Sequence, residues 1–182
     1  MRFIRTYGHD FLNHLQVISG YAQLHHTDRI REYINKITGQ IKQVNEITRI
    51  ANPQIATVFL VLQQDAFRYG VPLVFKVRGD LAGVSLDGEQ AGKALAYLVR
   101  EIKEVLEYME GTDEAVDISV TCLENHFVLR IKLPLDLDEI AEDNACSLME
   151  LDRYFKQYAA SFDISKSVGR TTISVQILCR EE

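Results

Sequence analysis

Ile30, Ile34, Ile37, Ile41, Val44, Thr48 and Ala51 recur at alternating spacings of three and four, the pattern of a helix with one continuous apolar seam. An N-cap at Thr27 or Asp28 opens this helix, and Asn52-Pro53 closes it because proline drives the preceding residue out of helical geometry. The segment upstream, residues 8–24, reads GHDFLNHLQVISGYAQL. At about 100° per residue, Phe11, Leu15, Ile18 and Ala22 share one side of a helix, and His9, Asn13, Gln16 and Gly20 form a narrow stripe opposite, which points His9 into solvent. Two such helices joined by the short HHTD turn make an antiparallel hairpin. A lone hairpin leaves Leu12, Val17 and Leu24 uncovered, so the pattern predicts a homodimer that pairs two hairpins into a four-helix bundle.

Asn52-Pro53 is also the predicted domain boundary, giving a hairpin over residues 1–51 and a second domain over 53–182. With 182 residues, 47% of them hydrophobic, the chain can bury a core of ordinary size. Beyond the proline the periodicity predicts a helix over Gln54–Tyr69, a strand over Leu73–Arg78 and a long helix over Gly88–Met109. Alternating strands follow at Val116–Cys122 and Phe127–Leu133, then an acidic loop over 134–144, a helix over Ser147–Ala160, and a closing hairpin of Phe162–Lys166 and Thr171–Leu178 around Val168-Gly169. The expected class is α+β: a helical hairpin followed by an α/β two-layer sandwich.

The net charge of −6 and pI near 5.4 argue against a nucleic-acid partner and favour one with a basic surface. The longest purely apolar run, Val58–Leu62, is far short of a bilayer span, and the start MRFIRTYGHD has no secretory h-region. Cys122, Cys146 and Cys179 are an odd set without metal-type spacing, as in a protein of the reducing cytoplasm. No metal site is expected. His25 and His26 read as solvated turn residues, His126 as a surface residue opening a strand, and His14 as packing against a bundle neighbour. The acidic run DLDEIAED lacks the central glycine and terminal bidentate Glu of an EF-hand.

A phosphoryl-accepting histidine needs an exposed imidazole, neighbours that fix which nitrogen attacks, and room for a phosphate-bearing partner. His9 has Asp10 beside it and Asn13 one turn on. This run resembles the H-[DE]-x-x-N-x-L-x-x-I-x-G-x-x-x-L segment of the dimerisation helix in citrate/fumarate-type sensor histidine kinases and in the sporulation initiation phosphotransferase B family; His9, Asp10, Asn13, Leu15, Ile18, Gly20 and Leu24 match it, and Arg5 resembles an arginine that many members keep. The resemblance implies a phosphohistidine at His9, an orienting role for Asp10 and Asn13, and contacts from Arg5, Gln16 and Gly20 to the receiver domain of a response regulator. Magnesium would come with that regulator rather than being held by this chain.

The second half separates kinase from phosphotransferase. An active kinase of this superfamily carries an N-box asparagine on its long helix and a D-x-G-x-G turn, whereas here Glu101 stands at the asparagine's expected place and the stretch LPLDLDEIAEDN has no glycine. Only Gly169 lies between residue 112 and the C-terminus, and close backbone approach to phosphates needs glycine. The expectation is therefore a phosphotransferase that relays phosphate between regulators through His9, with no ATP-dependent autokinase activity. The alternatives are a dimeric scaffold that only binds a regulator, and a fragment of a sensor kinase.

Overall fold

The computed structural model describes residues 2–50, 52–79, 88–123, 126–136, 151, 155–156 and 160–178; the side chains of residues 2–11, 88–92, 123 and 178 are outside that description. The chain divides into two compact units, Met1–Lys42 and Gln43–Glu182. The division falls inside the second helix, ahead of the boundary expected at Asn52-Pro53, because Ile47 and Ile50 are buried in the core of the second unit.

In the first unit, α1 (Arg2–Gln23) and the bulk of α2 (Thr27–Ile47) form the predicted hairpin. Its turn is a Schellman motif: the His26 amide donates to the Tyr21 carbonyl at 2.9 Å and the His25 amide to that of Ala22 at 3.0 Å. His25 holds the left-handed position of this motif, at φ 57°. The expected N-cap at Thr27 or Asp28 is corrected by one residue, since Thr27 is already helical and the His26 carbonyl accepts the first bond, from Ile30. Asp28 instead lies in the first turn, where its charge favours the helix dipole.

The predicted end of α2 is likewise corrected. The helix stops at Ile47, the Thr48 hydroxyl donates to the Asn45 carbonyl, and Asn52-Pro53 starts the next helix. In α3 (Pro53–Tyr69) proline occupies the first turn, where its missing N–H costs nothing, and the Asn52 side chain accepts from the Gln54 and Ile55 amides. A second Schellman turn ends α3, this time with Gly70 at φ 72°.

The strands are β1 (Leu73–Arg78), β2 (Val116–Leu123), β3 (His126–Leu133), β4 (Ala160–Ser167) and β5 (Arg170–Leu178), in sheet order β1-β2-β3-β5-β4. The β1–β2 pair is parallel and the rest antiparallel; parallel neighbours need a crossover, supplied by α4 (Gly88–Tyr108). Alternate strand residues such as Phe75, Ile118, Leu129 and Ile173 face one side and bury Phe59 and Leu62 of α3 and Leu98 and Ile102 of α4. Phe59 meets Phe75 at 4.9 Å between ring centres. The result is the expected two-layer α+β arrangement, one sheet face covered by helices and, among the described residues of this unit, no helix on the other. The helix expected over Ser147–Ala160 is helical at Leu151, Phe155 and Lys156, but Ala160 is already paired with Ile177 in β4; the remainder of it, and the acidic loop beyond Asp136, lie outside the described residues.

Candidate functional site

Helix α1 carries the sequence motif up to its last position, Leu24, which falls in the turn; Arg5, His9, Asp10, Asn13, Gln16 and Gly20 are all in helical backbone. The side chains of Arg5, His9 and Asp10 lie outside the described residues. On the same stripe, Asn13 and Gln16 are exposed. A Cβ built on Gly20 would meet nothing within 4 Å, so no packing within the chain requires a glycine there.

A flank of α1, off this stripe, is fixed by aromatic packing. His14 Nδ1 lies 3.0 Å from the Tyr33 hydroxyl of α2, and Tyr21 meets the same Tyr33 ring edge-on at 6.2 Å. His14 thus packs on the other helix of its own hairpin, where sequence placed it only against some bundle neighbour. Tyr33 was not singled out from sequence, because the hairpin register that brings it between His14 and Tyr21 depends on the turn. The apolar seam of α2 splits: Ile30, Ile37 and Val44 are half-buried, but Ile34 and Ile41 are exposed. On α1, Leu12 and Leu24 are 59% and 65% exposed.

On α4, Glu101 is buried and its Oε1 accepts two hydrogen bonds from the neighbouring Arg100, at 3.1 Å from Nε and 2.9 Å from Nη2. The Arg100 guanidinium lies 4.2 Å over the Tyr97 ring, and hydrogen bonding to Glu101 raises its pKa above the ordinary arginine value. The Glu101 carboxylate is therefore paired within its own helix. Between α3 and α4, buried Asp65 of α3 meets Arg68 at 3.5 Å and Lys103 of α4 at 3.9 Å. Among the described residues, no group of three or more His, Cys, Asp or Glu side chains could hold a metal ion, and no helix is long and apolar enough to cross a membrane.

Residues 1–50 match the model of the alpha-helical domain of SpoOB-type sensor kinases. No curated protein matches the chain. Among solved structures, the chain is similar to the nucleotide-free catalytic domain of histidine kinase ThkA (TM-score 0.50, 11% identity, over 72% of this chain and 94% of that one). It is also similar to ThkA in complex with the response regulator protein TrrA (TM-score 0.53, 13% identity, over 98% of this chain and 61% of that one). At these identities the likeness to ThkA is one of fold: a fold like that of a histidine-kinase catalytic domain, following a region that matches the SpoOB-type helical model.

Proposed function

Proceeding from a SpoOB-type sensor-kinase helical region joined to a histidine-kinase-like fold, we propose that this two-component signalling protein is a histidine phosphotransferase acting through His9. The match of residues 1–50 to the SpoOB-type helical domain carries the proposal, because His9, Asp10 and Asn13 fall within it on one helix. A His9 ring nitrogen attacks the phosphorus of an aspartyl-phosphate on a regulator; the P–N bond forms as the acyl P–O bond breaks, which returns the regulator's carboxylate. The reverse step on a second regulator moves the phosphoryl group onward.

Asp10 and Asn13 orient the imidazole, and Arg5, Gln16 and the open surface at Gly20 meet the receiver domain. Magnesium enters with the regulator, where it offsets charge on the loose phosphoryl transition state. The protein works as a homodimer, since Leu12, Leu24, Ile34 and Ile41 need a cover that the hairpin does not provide. ATP takes no part: Glu101 is tied to Arg100, and the sequence after β3 has no glycine to cradle phosphates until Gly169.

The test is transfer from a radiolabelled, aspartyl-phosphorylated receiver domain. Acid-labile label should appear on the wild-type chain and be absent from His9→Gln, with the dimer unchanged. Full labelling of His9→Gln overturns the assignment, and wild-type protein that binds the receiver without acquiring label identifies a scaffold instead.

A further inference from the structure

The helix-free face of the sheet carries a charge opposite to that of the molecule. Lys76 and Arg78 of β1 and Arg130 and Lys132 of β3 occupy outward positions, out of phase with the buried Phe75, Val77, Leu129 and Ile131. Register places Lys76 and Arg130 on either side of Ser119 of β2. Arg170 at the start of β5 is also exposed and has the same outward phase as Thr172, which pairs with Lys132. Five cations thus share a face on which Asp117 and Asp163 are the outward carboxylates of the strands, with Glu114 at one rim, in a chain of net charge −6. Neighbouring cations are spaced by about 7 Å along a strand and about 10 Å across β2, within a Debye length at moderate salt. Among the described residues, none of the five is held in an ion pair.

We propose that this face docks a carboxylate-rich segment of a protein partner. An ordered set of unpaired cations separated by small hydroxyl residues such as Ser119 and Thr121 matches acidic side chains presented at strand or helix spacing. The outward positions of the strands include no Phe, Tyr or Trp on which a base could stack, and Asp117 and Asp163 interrupt any path a phosphate backbone would follow. The outward valines, Val74 and Val128, are half-buried and buried in the sheet surface, so neither inserts into a lipid layer. The inference is independent of phosphotransfer through His9. The cluster is invisible in the linear sequence because its members come from three strands.

The experiment uses the full chain and a fluorescently labelled glutamate-rich peptide, read by anisotropy at low salt. The peptide should bind, and raising salt to about 0.5 M should release it. Lys76→Glu combined with Arg130→Glu should weaken binding by about tenfold or more, with an unchanged circular dichroism spectrum. Lys76→Arg combined with Arg130→Lys should retain it, and Lys42→Glu, at an exposed position of α2, should leave it unchanged. Absence of binding by the wild type, equal binding by the charge-reversed pair, equal loss in Lys42→Glu, or tighter binding to an oligonucleotide of the same charge or to phosphatidylserine vesicles each overturns the proposal.

Discussion

A histidine and a glycine do the same job at two helix ends. His25 and Gly70 both sit in the left-handed position of a Schellman turn, but only glycine does so without a steric penalty. His25→Gly should therefore stabilise the hairpin by about 0.5–1 kcal/mol, the relieved strain outweighing the added chain entropy, seen as a higher urea midpoint. Gly20 presents the converse case. It lies mid-helix with open space at its Cβ position, so Gly20→Ala should gain about 0.5–1 kcal/mol of stability. If the regulator approaches closely there, the same substitution should slow phosphate uptake, and urea titration and transfer kinetics would then move in opposite senses. The motif itself was legible from residue spacing; the brace of Tyr33 against His14 and Tyr21 was not, because it depends on hairpin register.

Among the elements, β1 was legible to the residue, since Leu73–Arg78 alternates cleanly and is bounded by Pro72 and Gly79. Helix boundaries were harder where one residue suits two roles. Asn52-Pro53 reads as the stop of one helix, but Asn52 is the cap of the next. Asn52→Ala should cost about 1 kcal/mol and be registered in chemical unfolding, with α2 unaffected because it already ends at Ile47. The start of β4 at Ala160 was obscured by Phe155 and the apolar residues near it, which suit a helical face as well as a strand. Phe155 in fact stacks on Phe162 of β4 at 5.5 Å, so both elements draw on one apolar cluster.

At the scale of the molecule, the fold class followed from the order of helical and alternating segments, whereas the opposed charge of the open sheet face required the strand register. The exposed apolar residues of the hairpin make a specific demand: sedimentation at micromolar concentration should show a dimer, and Leu12→Ser together with Ile41→Ser should shift it toward monomer. A stable wild-type monomer would contradict the bundle. The other exposed surface of concern in any open sheet is its rim. β1 is a terminal strand, yet three of the backbone groups on its free edge are occupied: the Phe75 amide donates to the Gln43 side chain, the Val77 amide to Glu46 at 3.4 Å, and Arg49, paired with Glu46, donates to the Val77 carbonyl at 3.5 Å. Side chains from the end of α2 and the turn after it stand where another strand would hydrogen-bond. Sheet extension by a second chain, the route to fibrillar aggregates, is consequently closed at β1 and left to β4, whose exposed Asp163 and Lys166 discourage it. Removing Gln43, Glu46 and Arg49 together should convert a guarded margin into an adhesive one, with thioflavin-positive aggregates forming under conditions in which the native chain stays clear.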